Sequence, residues 1–364
     1  MKSLIDKLET NHTLSKDEFV QLIQNHTSED TQHLFERARC LRQKHFGTAV
    51  FLRGLIEISS YCHNDCLYCG IRHSNATAER YRLTDEQILS CCAQGHALGF
   101  RTFVMQGGED SKFTDERMVA LIRQIKQQYP DSAITLSLGE RKRDSYQRMF
   151  EAGADRYLLR HETANAEHYG QLHPSWMSHA KRMQCLQDLK EIGYQVGTGF
   201  MVGSPFQTAE HLAEDLMFIA QFQPAMVGIG PYIPHHATPF ADQPAGTVEQ
   251  TLFLLGILRV MMPQLLLPAT TALGTMDPQG REKGLMAGAN VIMPNLSPAD
   301  DRSKYMIYDN KLATGAESAE GLTELNRIIE SVGYHVEQSR GDAPNHIIEV
   351  VVGPRQVGKT TLVK

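Results

Sequence analysis

FLRGLIEISSYCHNDCLYCGIRH, residues 51–73, carries an aliphatic run suited to a buried strand straight into three cysteines, Cys62, Cys66 and Cys69, spaced C-x3-C-x2-C. Three thiolates can hold three irons of a cubane and leave the fourth iron open to a chelating substrate as well as to electron transfer. A structural zinc site would want a fourth protein ligand, which His63 or His73 could supply, and three packed thiols are a further alternative. Seven cysteines, three of them within eight residues, speak for metal or redox chemistry in a reducing compartment rather than a disulfide framework.

Working outward, seven more apolar runs follow the first (51–58): 102–106, 133–138, 156–161, 196–202, 226–230, 266–271 and 290–294. Amphipathic stretches of helical period separate them, near 114–129, 178–192, 208–221 and 247–262, and another starts at Thr84, where Gln87 completes a capping box. Eight strands alternating with helices predict an α/β fold, a (β/α)8 TIM barrel, whose active site lies at the strand C-termini. LIDKLE, DEFVQLIQ and HLFERARCLRQKHF place apolar residues three and four apart, so residues 1–48 are expected to form an N-terminal helical extension. Residues 49–342 are assigned to the barrel with C-terminal helices, and 343–364 to an extra tail.

A chain of 364 residues with 41% hydrophobic and 21% charged residues has the composition of a soluble globular protein. A net charge of -6 offers no basic footprint for a polyanion, so nucleic acid is not expected as a partner and a small molecule is. No signal-peptide run opens the sequence and no uninterrupted apolar stretch reaches membrane-spanning length, so a cytoplasmic protein with no membrane association is expected.

The cysteine spacing at a strand end resembles the radical SAM superfamily. YCHNDCLYCGIR, QGGED, LSLGE, ADRYLLRHETAN, FMVGSP, MVGIGPYIPHHATP, LPATTALGT and GANVIMPN together resemble, more narrowly, the FeFe-hydrogenase maturase family HydE, over roughly residues 1–342. The resemblance implies a 4Fe-4S cluster on Cys62, Cys66 and Cys69 that reductively cleaves S-adenosylmethionine (SAM) to methionine and a 5'-deoxyadenosyl radical. It implies SAM contacts from Tyr68, Gly107, Gly108, Glu109, Glu162, Arg182, Met201 and Met226. It also implies a polar substrate pocket of Thr135, Ser137, Arg160, Thr270, Thr271 and Tyr305, with Arg160, Thr270 and Thr271 nearest the chemistry. The expected substrate is a small organometallic iron complex or another small molecule, and the expected partners are other hydrogenase maturation proteins and a reductant protein. Two alternatives stand beside it: a radical amino-acid mutase resembling 3-methylornithine synthase, and a carrier of an iron synthon that performs no catalysis.

Taken singly, most of these residues have blander readings: Tyr68 as loop packing, GGE as an ordinary glycine turn, Arg182 as a solvated helix face, the methionines as core, and the barrel hydroxyls as a satisfied network. His235 and His236 read as part of a family phrase, because adjacent residues rarely converge on one ion. Cys40, Cys91, Cys92 and Cys185 fall on predicted helices and read as packed side chains, and residues 296–342 lack the three cysteines with which some relatives hold an accessory cluster. Phe206 stands where the family phrase has a turn glycine, which puts the local loop geometry in question. IIEVVVGPRQVGKTTLVK ends in a P-loop consensus, Gly353 to Thr360, but only four residues follow it, too few for an NTPase fold.

Overall fold

The computed structural model describes residues 1–344; the P-loop-like segment lies outside them. Eleven short strands are named in chain order: β1 Ala49–Leu52, β2 Gly54–Ser59, β3 Thr102–Gly107, β4 Ala133–Ser137, β5 Arg156–Leu158, β6 Gln195–Thr198, β7 Met201–Val202, β8 Met226–Val227, β9 Gly230–Pro231, β10 Val291–Ile292 and β11 His335–Glu337. Strands β2, β3, β4, β5, β6 and β8 pair in that order, all parallel. Single bridges from Met226 to Leu266 and from Pro268 to Val291 carry the ring on to β10, which pairs with β1 and closes the barrel. All eight apolar runs therefore stand as staves.

Their lengths depart from expectation for local reasons. Arg53 interrupts the first run, Gly199 and Phe200 split the fifth and Gly228 and Ile229 the sixth. The seventh is reduced to bridges, and its last residues turn into a helix, Thr271–Met276, with Thr270 as the N-cap. β11, unforeseen in the sequence, joins β1 on the lower side with Val50 opposite Val336.

The helices on the outside form where propensity and caps agree. α1 Lys2–Asn11, α2 Lys16–Asn25 and α3 Ser28–Phe46 precede the barrel, and α4 Asp85–Ala97 begins with the Thr84–Gln87 capping box. α5 Asp115–Gln128, α6 Arg143–Ala152, α7 Ala166–Leu172, α8 His179–Ile192, α9 Ala209–Phe222 and α10 Val248–Met261 follow, and Gly153 and Gly193 end α6 and α8 in left-handed geometry. α10 is apolar around its whole circumference because α3 covers the side that faces away from the barrel; Gly256 lets Leu34 come close. Arg42 of α3 donates to the carbonyls of Gly47, Ala49 and Ala289, tying the helical extension to strand ends at the N-terminal side of the barrel.

The N-terminal mouth is shut by residues 339–343. Arg156 donates to Asp342 and to the carbonyl of Arg340, Arg53 reaches the carbonyl of Gly341, and Gln195 both donates to Asp342 and accepts the Ala343 amide. The opposite end, where β2 to β5 terminate, is left for the site.

Candidate active site at the C-terminal mouth

The cysteine loop is held in shape by its own polar residues. Arg80 donates to the carbonyls of Ser60, Ile71, Arg72 and Asn75, while Asp65 accepts from Arg72 and Ser74. At its far end, the Gly70 amide donates to Ile307 O at 2.9 Å. Amide groups point at the sulfurs: Glu109 N–H lies 3.4 Å from Cys62 Sγ with Asn64 N–H beside it, and Ile71 N–H serves Cys69. Burial nonetheless pushes all three thiols up, Cys69 to about 12, the direction expected of sulfurs whose charge is balanced only by a cationic partner.

The donor geometry separates the alternatives. Thiolates on one zinc ion stand about 3.8 Å apart. Among the described residues the three thiols do not gather within 4.8 Å of one another, whereas His235, His236 and Asp309 do. Cysteines that bind different irons of a cubane sit farther apart, so this loop fits a cluster better than one ion. Gly108 completes the cradle: a Cβ there would lie 2.3 Å from Tyr61 O and 2.7 Å from Cys62 Cβ.

Around the loop runs a continuous polar chain. His63 Nε2 lies 3.4 Å from Glu109 Oε2; Glu109 Oε1 accepts the Glu140 amide at 3.0 Å; and Glu140 meets Lys181 at 3.2 Å and Arg182 Nε at 2.7 Å. Burial raises the Glu109 carboxyl, partly offset by that amide and by Arg182. Arg182 also donates to Arg160 O at 2.8 Å, so this buried side chain is no solvated helix face. Gly139, with φ +72°, leaves room for the Glu109 carboxylate, which any Cβ would strike.

Tyr68 is anchored rather than loose. Its hydroxyl donates to His173 Nε2 at 3.1 Å, because His173 Nδ1 donates to Tyr169 O, and burial keeps His173 neutral by lowering it to about 3. Tyr68 and Leu67 pack against Met201, Leu172, Tyr232 and Phe240. Met226 stands apart from this group, deeper in the barrel, where it packs with Leu266 and Val291 and its sulfur accepts from Arg53.

Below the mouth, several buried polar atoms have no protein partner among the described residues: Thr135 Oγ1, Thr270 Oγ1, Arg160 Nε and Nη2, and Glu162 Oε2. Arg160 and Glu162 approach to 3.3 Å without aligning. Buried polar atoms without a partner are costly, so these hydroxyl, guanidinium and carboxylate groups are available to a polar partner. Glu162 has φ +64°, a conformation a non-glycine residue adopts only when its surroundings impose it. Thr271 differs from Thr270, since its hydroxyl donates to Glu317, itself paired with Arg281. Ser137 ends β4 opposite Gln106 of β3, and Tyr305 is buried in contact with Gln106.

Sequence reasoning missed Lys311 and Glu57. Lys311 enters the barrel from the segment after Tyr305, meets the fully buried Glu57 at 2.7 Å and lies 5.4 Å from the Tyr305 ring centroid. A Glu before SSYC was visible, but nothing local marked its distant partner. His235 and His236, read in the sequence as part of a family phrase, come together with Asp309. The Ala237 amide donates to His235 Nδ1, however, so neutral His235 carries its proton on Nε2, the nitrogen facing Asp309 3.7 Å away. His236 is hydrogen-bonded to Asp309, and His235 packs directly behind Gly70. Cys91, Cys92 and Cys185 are buried on α4 and α8, and Cys40 is exposed on α3.

Residues 56–219 match the Radical SAM superfamily. The chain is 42% identical over 300 residues to the FeFe-hydrogenase maturase subunit HydE of Thermotoga maritima, covering 82% of this chain and 85% of that protein. It is 29% identical to the 3-methylornithine synthase of Methanosarcina acetivorans over 91% of each. The solved structure of methylornithine synthase PylB superposes with a TM-score of 0.82 at 27% identity, covering 92% of this chain and 98% of that one. The maturase HydG from Carboxydothermus hydrogenoformans shares the fold, with a TM-score of 0.77 at 20% identity over 92% of this chain and 78% of that one. With a closed barrel, a three-cysteine loop at its mouth and this degree of identity, the chain belongs to the radical SAM superfamily, enzymes of a 4Fe-4S cluster and SAM, and within it to the family of the hydrogenase maturase HydE.

Proposed function

We propose that this enzyme acts in assembling the diiron site of an FeFe-hydrogenase, on a small iron complex or comparable polar molecule bound inside the barrel, in the cytoplasm and alongside other maturation proteins. The observation that carries the proposal is the set of orphaned polar atoms of Thr135, Arg160, Glu162 and Thr270 beneath the cysteine loop, in a chain 42% identical to a HydE.

Cys62, Cys66 and Cys69 would hold the cluster, which when bound and reduced supplies the electron that splits SAM into methionine and a 5'-deoxyadenosyl radical. The protein's part is placement and exclusion of water. Gly107, Gly108 and Glu109 offer backbone and carboxylate to the methionine ammonium group. Arg182, already oriented by Glu140, is placed for a carboxylate. Tyr68 and Met201 form an apolar wall, and Glu162 receives hydroxyl or amine donors. Met226, from its deeper position, borders the lower chamber. Arg160 and Thr270 would bind the substrate directly with Thr135 and Ser137, Tyr305 closes over it, and Thr271 contributes through its bond to Glu317. Residues 49–342 make up the catalytic unit and 1–48 brace it.

A radical mutase acting on an amino acid is the second reading, favoured by the close superposition on methylornithine synthase. Activation of an apo-hydrogenase in a cell extract supplied with the other maturases separates the two. The proposal expects hydrogen evolution to depend on this protein and to be lost with Arg160→Ala. Activation that is indifferent to the protein, with formation of 3-methylornithine instead, would establish the mutase reading.

A further inference from the structure

Past β5 the chain keeps alternating across the barrel wall. Arg160 and Glu162 face one another inside, and His161 between them faces outward, onto α9. That outward position is polar where packing would ask for an apolar residue. The other buried residues of α9 are Leu212, Ala213, Leu216, Ile219 and Phe222, and the His161 ring lies 4.8 Å from that of Phe218. Yet His161 and Asp215 are both fully buried here, and a carboxylate in such surroundings is costly unless it is engaged.

Its engagement is specific. Asp215 Oδ1 accepts the Ala164 amide at 2.6 Å and faces His161 Nε2 at 3.2 Å. Thr198 of β6 accepts the His161 amide at 3.2 Å and gives its hydroxyl proton to His161 Nδ1 at 2.8 Å, which leaves the ring proton on Nε2 to be donated to Asp215. One carboxylate oxygen thus grips the chain one residue before Glu162 and two residues after it. The Glu162 amide itself donates to Gly199 O at 3.1 Å. With both flanks held, the φ of +64° at Glu162 is imposed by its surroundings. Asp215 Oδ2 has no partner among the described residues, so every hydrogen bond this carboxylate makes there goes to the Glu162 turn.

We infer that Asp215 and His161 are positioning residues for SAM, a clamp behind the barrel wall that fixes the Glu162 turn and so aims the Glu162 carboxylate into the site. They act through Glu162 and stand on the outer side of the wall from the reacting molecules. The inference rests on the reading of Glu162 as a SAM contact.

The test is a double-mutant cycle on reconstituted holoenzyme, read as the Kd for SAM by calorimetry, with iron content and thermal midpoint measured alongside. Asp215→Leu and, in parallel, His161→Leu are each combined with Glu162→Ala. Alone, each clamp variant should raise the Kd about tenfold, as Glu162→Ala should, with iron content unchanged. In the Glu162→Ala background the same substitutions should change the Kd by less than about twofold, because the group they aim is gone. Asp215→Asn, which keeps an acceptor at Oδ1, should restore near-wild-type affinity. Equal fold-changes in both backgrounds would show that the pair merely stabilises the fold and would overturn the clamp, as would an unchanged Kd in the single clamp variants. Should Asp215→Leu not fold, the His161→Leu arm decides by the same criterion. An unchanged Kd for Glu162→Ala alone would instead refute the SAM contact of Glu162, and the clamp with it.

Discussion

Phe206 shows how a single residue can contradict the pattern and still keep its geometry. It occupies the glycine position of the family turn, and its backbone takes the glycine-like φ of +65°, while its ring lies 53% exposed with its edge toward Phe240. A left-handed conformation costs a residue with a Cβ about 1 kcal/mol, and an exposed ring recovers little of it. Phe206→Gly should therefore leave stability unchanged or raise it by up to about 1 kcal/mol, as read from urea denaturation; a loss above about 2 kcal/mol would mean that the Phe240 contact decides the turn. At this scale the sequence named the cysteines, Arg182 and the barrel hydroxyls. It could not show that Thr271 is committed to Glu317 or that Tyr68 leans on His173, because each partner lies far along the chain in a phrase with no signal of its own.

Among elements, the segment that carries Tyr305 into the barrel is pinned by one buried ion pair. Glu57 Oε2 accepts from Asn295 at 2.8 Å and Oε1 faces Lys311, both charges out of water. Removing one partner from such a pair strands the other, which costs about 3–5 kcal/mol, whereas replacing both with apolar groups costs far less. Lys311→Met should thus be strongly destabilising, and Lys311→Met combined with Glu57→Leu should recover much of the loss in the same denaturation series. Equal losses in the single and double variants would show that the pair does not act as a unit. The starts of α4, α5, α8, α9 and α10 were legible to within a residue because caps such as Thr84 are local devices, whereas α6 and α7 were not read in the sequence. The fragmented staves were less so, since the breaks at Gly199 and Gly228 answer to how the barrel bends, and β11 forms only because β1 offers it an edge.

At the level of the whole molecule, the barrel is closed below by a carboxylate among arginines. Asp342 is partly buried, which alone would raise its carboxyl, but Arg156 and Arg340 hold it well below the ordinary range. A carboxylate depressed by folding adds stability that is fully present above its unfolded pKa of about 3.9 and is lost as pH falls below it. Asp342→Asn should lower stability by about 1–3 kcal/mol at pH 7 and flatten the decline below pH 4; an unaltered acid limb would place that dependence on other carboxylates. The eight-stave barrel was readable from the alternation of runs and helices, but this plug was not, because its function depends on Arg53, Arg156 and Gln195 meeting beneath the barrel. No helix among the described residues is long and apolar enough to cross a membrane.

The central claim is that Cys62, Cys66 and Cys69 hold a redox cluster at the barrel mouth, and reductive SAM cleavage by anaerobically reconstituted wild type and Cys66→Ala tests it most directly. Wild type should carry about four irons per chain and form 5'-deoxyadenosine with dithionite, while Cys66→Ala, left with two thiolates, should lose both. Undiminished 5'-deoxyadenosine formation by Cys66→Ala would contradict the account.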